Sequence, residues 1–421
     1  MMIEQLRDRF KGLPRFRDAV SVTRGLEHFN DNNQKAILTS ATLPRGARSG
    51  KRYARFARSS SIDSYAVDWH DCYVDSDLFS RERKEQFSRP KLIFAGQVPR
   101  LRVACDESGL ALGDSLFSVA FKQTLSIPYL AGLLNSSLLN LLLNLENGLL
   151  PNQKPKRLEA RYLSELPVLL PDRDSSRKLQ RYIEGNVQSL IHALQARSAL
   201  LNCWREAVQG QGLRYEPLER LLANHLTGQK NPWVKHLAPS LATLMRRSRK
   251  FKLVQLRGDL ALPVLRIYGL TETGDEMMIA EAEFAGREPM LYVCCAWAGE
   301  RTQRRMSGTM GKLLRDTKLP VIGDDPDAAA RTTLARTFAL ARKQLAREKI
   351  PCSDLDIVRI EDEAERLGAL TDAEVFRLYD LSWDDSQAVM SRLTATSREC
   401  QQVATYYERV APDRQEPAKL L

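Results

Sequence analysis

Long apolar runs are missing from this sequence of 421 residues. The most apolar stretch, Ile127 to Leu145, is interrupted by Pro128 and by asparagines at positions 135, 140 and 144. A membrane-spanning helix needs about 20 mostly apolar residues, and polar side chains are costly in lipid. The N-terminal MMIEQLRDRFKGL also lacks the apolar core of a signal peptide. The sequence therefore predicts a cytoplasmic protein with no membrane partner.

Cysteine and histidine are scarce. The seven cysteines form no CxxC pair, and none of the five histidines lies at ligand spacing from one of them. Scattered thiols in odd number favour a reduced compartment, and Cys294 and Cys295, within the apolar run MLYVCCAWA, are interpreted as small buried thiols. We expect no metal site.

The signatures of several enzyme classes are also missing, namely GxxxxGK[ST], GxSxG, HExxH and GxGxxG. The strand-like TGDEMMIAEAEF carries Asp275, Glu281 and Glu283, which a metal-dependent nuclease could use. No lysine follows closely to position an attacking water, so exposed strand acids are the preferred interpretation. We predict no catalytic residue, and keep the nuclease as an alternative.

Positive charge is what the sequence has in excess. It contains 63 Lys and Arg against 52 Asp and Glu, a formal charge of +11. Residues 1–60 hold thirteen basic and five acidic groups, whereas residues 351–421 hold eight basic and fifteen acidic groups. This asymmetry indicates a polyanionic partner for the basic part and a protein partner for the acidic helical tail.

The sharpest basic feature is LPRGARSGKRYARFARSS, from Leu43 to Ser60, in which Tyr53 and Phe56 alternate with six basic residues and no acid occurs. Guanidinium groups suit both phosphates and guanine edges, and aromatic rings can stack on bases or anchor a loop. A solvated basic loop is the alternative, but the charge excess favours nucleic acid. Further basic stretches lie at 153–161, 246–252 and 301–305.

The hydrophobic pattern predicts strands in the runs SYAVDW, KLIFAGQV, RLRVAC and SLFSVAF. It changes to a helical period from Pro128 to about Asn147-Gly148 and again over 176–207. The runs LVQLRGDL, PVLRIYGLTE, EMMIAEAEF and MLYVCCAWA then predict an antiparallel meander, and 328–348 and 357–410 predict helices.

Three segments between Leu13 and Leu170 resemble the target-recognition domain of adenine-N6 DNA methyltransferases and restriction–modification proteins, of the TaqI-like specificity type. They are the opening LPRFRDAVSVTRGLEHFNDN; the central RPKLIFAGQVPRLRVACDESGL, a lysine-led strand pair from Lys91 to Asp106; and SIPYLAGLLNSSLLNLLL with the closing YLSELPVLLP. The resemblance covers about 160 residues. LTDAEVFRLYDLSWDDSQAV resembles the closing helices of such proteins.

The family's Asn-Pro-Pro-Tyr motif and its glycine turn for S-adenosylmethionine do not occur in this sequence. Only about a dozen residues precede the recognition-like region, so we expect no catalytic domain upstream. The resemblance thus implies a DNA-recognition subunit without a cofactor of its own. Its partners would be double-stranded DNA and a separate methyltransferase subunit that binds S-adenosylmethionine. An RNA-binding or structural protein with a basic surface is a further alternative.

The predicted fold class is α+β, with a recognition domain of mixed or antiparallel sheet at 1–172, a long connecting helix at 173–210, a second α+β domain at 211–350 and an acidic helical segment at 351–421. The predicted DNA contacts share a basic or amide side chain in the recognition-like region. They are Arg45, Arg48, Lys51, Arg52, Arg55, Arg58, Gln97, Arg100, Arg102, Lys154, Lys156 and Arg157.

Overall fold

A computed structural model describes residues 6, 8–26, 37–39, 42–44, 52–69, 72–96, 101–121, 125–146, 160–170, 174–208, 214–223, 234–248, 251, 253–271, 275–304, 314–321, 326–352, 354–393 and 395–410. The chain divides into two compact units. The first unit contains residues 1–191, 367–393 and 402–421, and the second contains 192–366 and 394–401. Both contain helices and mostly antiparallel strands, so the predicted α+β class is confirmed. The four-segment division remains a proposal.

Two small sheets form the strand part of the first unit. Their strands are β1 (Val20–Arg24), β2 (Tyr53–Ala57), β3 (Tyr73–Asp75), β4 (Lys91–Ala95), β5 (Val103–Asp106), β6 (Ala111–Leu112) and β7 (Leu116–Phe121). One sheet is antiparallel with the order β1-β7-β4-β5. The other has the order β3-β2-β6, in which β2 pairs antiparallel with β3 and parallel with β6. Phe56, Val74 and Ile93 belong to one buried cluster of this unit.

Within residues 1–191 the sequence predicted the helical segments from Pro128 and over 176–207, but not the three shorter helices that the structure also contains. The helices in this part of the first unit are α1 (Phe16–Ala19), α2 (Arg81–Ser88), α3 (Ile127–Asn135), α4 (Ser137–Glu146), α5 (Ala160–Ser164) and the first part of α6 (Asp174–Val208). The single helix predicted from Pro128 is wrong, because the chain is extended at Ser136. The Ser136 hydroxyl accepts from the Leu139 N–H at 3.3 Å and donates to the Leu133 carbonyl at 2.6 Å. A hydroxyl that bonds nearby backbone groups competes with the helical ladder.

Two buried asparagines connect these helices to β5. The Asn135 amide accepts from the Val103 N–H at 2.9 Å and donates to the Val103 carbonyl at 2.8 Å. Asn140 accepts from the Leu101 N–H at 2.7 Å. A buried backbone group without a partner is costly, so these amides satisfy the chain where it enters the strand.

Gly132 allows α3 to approach its neighbours closely. A Cβ at this position would lie 2.6 Å from Ile183 Cγ2 and 3.1 Å from Val187 Cγ2, both on α6. Thr371 Cγ2 would lie 3.5 Å away. Only a residue without a side chain fits this packing without displacing its neighbours.

The strands of the second unit are β8 (Arg214–Pro217), β9 (Val234–Ala238), β10 (Leu253–Gly258), β11 (Val264–Leu270), β12 (Glu276–Phe284) and β13 (Lys318–Val321). They form an antiparallel sheet in the order β10-β11-β12-β9 and a pair of β13 with β8. The meander over β10, β11 and β12 is confirmed. The sequence pattern did not predict β9, which pairs with β12.

The strand predicted for MLYVCCAWA is wrong, because it lies within the helix Arg287–Arg304. Residues 290–299 are buried around the whole circumference of that helix, so they show neither a helical stripe nor alternation. The sequence signal that distinguishes a helix from a strand here is Gly286 followed by Glu288 and Pro289, a combination typical of a helix start. Cys294 and Cys295 are buried, as expected, and burial raises the pKa of both thiols.

The remaining helices continue the numbering from α6. They are α7 (Leu218–Ala223), α8 (Leu241–Ser248), α9 (Arg287–Arg304), α10 (Pro326–Glu348), α11 (Ile357–Leu378), α12 (Trp383–Arg392) and α13 (Ser397–Arg409). The long helix predicted over 176–207 is confirmed as α6, and the helical C-terminal region as α11 to α13. Among the described residues, no helix combines the length and the apolar character needed to cross a membrane.

Candidate nucleic-acid interface

The hairpin of β2 and β3 has one buried face and one accessible face. Ala54 and Val74 are register partners, and both contact the buried cluster. Side chains alternate along a strand, so the neighbouring pairs point the other way. These pairs are Tyr53 with Asp75 and Arg55 with Tyr73. All four side chains are partly or fully accessible, and they form what we call the hairpin face.

Arg52, which precedes β2, is bonded to acids. Its Nε and Nη2 donate to Asp75 Oδ2 at 3.1 and 3.0 Å, and Asp77 Oδ2 lies 3.8 Å from Nε. The hydrogen bond to Asp75 raises the pKa of Arg52. The pKa of Asp75 is lowered, mainly by the hydrogen bond from the Asp77 backbone N–H and next by the hydrogen bond from Arg52. Much of the charge of Arg52 is therefore compensated locally.

Arg55 is held differently. Its guanidinium lies over the Trp69 ring at 5.5 Å from the centroid, and its Nη2 donates to the Ser108 carbonyl at 3.4 Å. Within the described residues it forms no salt bridge, and it is exposed. Arg55 thus carries a positive charge that no described acid compensates, and its orientation is restricted on two sides.

Trp69 is fixed by its own contacts. Its indole N–H donates to the Cys72 carbonyl at 3.1 Å, and its ring meets that of Tyr73 edge-on at 5.2 Å. Trp69 is half-buried against the cluster under the hairpin. Sequence reasoning missed Trp69 and Tyr73, because SYAVDW was predicted to be a strand. The backbone there forms only isolated bridges, from Ile62 to Val67 and from Tyr65 to Ala104.

Arg58 and Arg102 are the other two predicted DNA contacts within the described residues, and they are less suited to bind DNA than Arg55. The Nε of Arg58 is buried and has no hydrogen-bond partner among the described residues. Arg102 lies 3.5 Å from Asp63 in an exposed ion pair, which holds it only weakly. The remaining predicted contacts are Arg45, Arg48, Lys51, Gln97, Arg100, Lys154, Lys156 and Arg157, all outside the described residues.

A buried ion pair lies behind the turn that contains Ser108. Lys91 and Asp106 are register partners in β4 and β5, with 3% and 0% of their side chains exposed. The Lys91 Nζ donates to Asp106 Oδ2 at 2.5 Å and to the Phe87 carbonyl at 2.7 Å. Burial lowers the pKa of Lys91, and the attraction of Asp106 opposes that shift.

The same Asp106 carboxylate also shapes the turn after β5. Its Oδ1 accepts from the Ser108 N–H at 2.8 Å and from the Ser108 hydroxyl at 2.9 Å. Its Oδ2 accepts from the Leu110 N–H at 2.9 Å. The lysine-led strand pair therefore ends in a turn whose backbone is bonded to a buried charge.

The residues of the nuclease alternative lie on β12 (Glu281 and Glu283) and directly before it (Asp275), and they form no metal-binding group among the described residues. Glu281 accepts a bond from Arg266 Nε at 3.0 Å, and Glu283 is exposed. No group of three or more His, Cys, Asp or Glu that could hold a metal ion occurs in the part of the chain that the structure describes.

No family model matches the chain, and no curated protein matches it either. Among solved structures, the chain is similar to the crystal structure of a type I restriction-modification system S subunit from M. genitalium. That similarity has 11% sequence identity and a TM-score of 0.33, and covers 88% of this chain and 98% of that chain.

Proposed function

We propose that this chain is a DNA sequence-recognition subunit of a restriction–modification or phage-defence adenine methyltransferase system, and that it performs no catalysis itself. The observation that carries the proposal is the hairpin face, where an exposed arginine, without an acidic partner among the described residues, lies on a fixed aromatic ring. The basic excess of residues 1–60 and the resemblance of the segment from Leu13 to Leu170 to target-recognition domains support it.

In this proposal, basic side chains around the hairpin contact phosphates and set the register on the duplex, while Arg55 reaches base edges. We propose phosphate contact also for Arg45, Arg48 and Lys51, which precede β2 in the sequence. A separate methyltransferase subunit binds S-adenosylmethionine and extrudes the adenine, as base-modifying enzymes do. Helix α6 and the acidic helices α11 to α13 are the proposed docking elements for that subunit.

The combined substitution of Arg52, Arg55 and Arg58 by alanine tests the location of the interface. We expect the affinity for duplex DNA to fall about tenfold or more. The slope of log K against log salt should decrease by about 0.9 for each phosphate that the variant no longer neutralises. Fluorescence anisotropy on a labelled duplex over a salt series measures both quantities.

The matched control replaces three exposed basic residues by alanine, Arg81 and Arg89 at the two ends of α2 and Lys11 in the N-terminal segment. It removes the same charge away from the hairpin face and is expected to change affinity much less. Equal effects of the two triple variants would refute the proposed interface. Failure of the wild-type chain to bind duplex at low salt, with and without the methyltransferase partner, would refute the function. Preference for RNA over duplex DNA would favour the RNA-binding alternative.

A further inference from the structure

We propose that Arg55 reads a guanine of the target duplex, and that the buried pair of Lys91 and Asp106 positions it for this task. The inference rests on the proposed function and adds to it a residue that determines specificity and a device that orients that residue. It assigns base recognition to Arg55 and phosphate contact to the other basic residues.

Arg55 has the donors that guanine recognition requires. A guanidinium carries five N–H groups, and only one contact, from Nη2 to the Ser108 carbonyl, is made to a hydrogen-bond acceptor of the described residues. The others are available for the O6 and N7 atoms of guanine, which accept a bidentate pair from arginine in the major groove. Arg52, in contrast, already donates twice to Asp75.

The orientation of Arg55 is restricted before any ligand binds. The Arg55 guanidinium lies over the Trp69 ring, and this ring is itself held by a hydrogen bond to the Cys72 carbonyl and by an edge-on contact with Tyr73. The Ser108 carbonyl holds one edge. A side chain that is already ordered loses less conformational entropy on binding, so the contacts within the fold that order Arg55 favour its binding to DNA.

Asp106 acts through Ser108 and is therefore a positioning residue. Its carboxylate accepts two bonds from Ser108, one from Leu110 and one from Lys91, and all of its side chain is buried. These bonds fix the backbone whose carbonyl faces Arg55. Lys91 donates to the same carboxylate and holds it in place within the sheet.

The first test is selection of binding sites from a random duplex library by the wild-type chain, Arg55→Ala and the control Arg81→Ala. We expect the wild-type chain and the control to select the same motif. Arg55→Ala should lose its preference for guanine at one position and keep the rest of the motif. At that position, 7-deazaguanine, which lacks the N7 acceptor, should weaken wild-type binding about tenfold and leave the binding of Arg55→Ala unchanged.

The second test examines positioning with Ser108→Gly and Asp106→Asn. Ser108 is exposed, so Ser108→Gly removes the hydroxyl bond to Asp106 and loosens the backbone with little risk to folding. We expect a smaller preference for guanine at the same position, with the salt slope unchanged. Asp106→Asn should have the same effect if its thermal transition shows that it folds.

The outcomes separate this inference from the function on which it rests. If the wild-type chain selects no motif, the proposed function fails. If it selects a motif and Arg55→Ala selects the same one, guanine included, the role of Arg55 is refuted. If Arg55→Ala selects an altered motif but 7-deazaguanine does not weaken binding by the wild-type chain, recognition of the guanine edge is also refuted. Stacking of a base on Trp69 would then be indicated. Full guanine preference in Ser108→Gly and in folded Asp106→Asn would refute the positioning role.

Discussion

Asp106→Ala is expected to lower the free energy of unfolding by about 3–5 kcal/mol, because it leaves the Lys91 ammonium buried without its counter-charge. The same substitution removes the acceptor of the Ser108 and Leu110 N–H groups and of the Ser108 hydroxyl. Each polar group left without a partner adds to the cost. Urea denaturation followed by circular dichroism measures the change.

The double variant Lys91→Met with Asp106→Asn is the control for this prediction. It removes both charges, and the asparagine oxygen can still accept from the turn. Since replacement of a whole buried pair is often close to neutral, we expect the double variant to be more stable than Asp106→Ala by about 2 kcal/mol or more. A loss below about 1 kcal/mol in Asp106→Ala would show that the pair contributes little to the fold.

Glu374→Gln is expected to flatten the pH dependence of stability. Glu374 lies on α11 in the first unit and is 3% exposed; its Oε1 accepts from Asn186 Nδ2 at 2.8 Å, and its Oε2 is buried without a hydrogen-bond partner among the described residues. Burial raises the pKa of Glu374 from 4.5 to about 8. The folded chain thus holds a proton that the unfolded chain releases.

The sign follows from proton uptake. Between pH 4.5 and 8 the folded state binds more protons at Glu374 than the unfolded state, so stability declines as the pH rises through this window. The decrease in the free energy of unfolding that Glu374 causes approaches about 1.4 kcal/mol per pH unit within this window. Below and above the window, Glu374 contributes no pH dependence. At pH 8 the glutamine variant should be more stable than the wild type by a difference on the order of 4 kcal/mol.

Urea denaturation at intervals of half a pH unit measures this slope. The control is Glu363→Gln on the same helix, whose side chain is 46% exposed and bonded to Arg366. It should leave the slope as in the wild type. Parallel pH profiles for the wild type and Glu374→Gln would mean that Glu374 is ionised in the folded chain.

The sequence predicted elements wherever one periodicity dominated. Helix α6 and the meander of β10 to β12 belong to this class. Prediction failed where burial or side-chain bonds overrode the period. The run 290–299 is buried on all sides, and Ser136 interrupts a helix through its hydroxyl.

The candidate site was only partly predictable for a similar reason. Counting charges selected Arg52 and Arg55 equally, but the acids that pair with Arg52 come from β3 and the turn after it, which the sequence pattern did not predict. The ring beneath Arg55 comes from a segment of isolated bridges. Interactions between residues distant in sequence decide which arginine is available, and no local pattern contains them.

Competition between two duplexes tests the central claim, sequence-specific recognition of DNA, most directly. One duplex carries the motif selected by the wild-type chain, and the other has the same composition in scrambled order, at one salt concentration. We expect the selected duplex to compete about a thousandfold better, since specific binding exceeds non-specific binding by at least that order. Equal competition by the two duplexes would contradict the account and leave only a basic surface that binds polyanions.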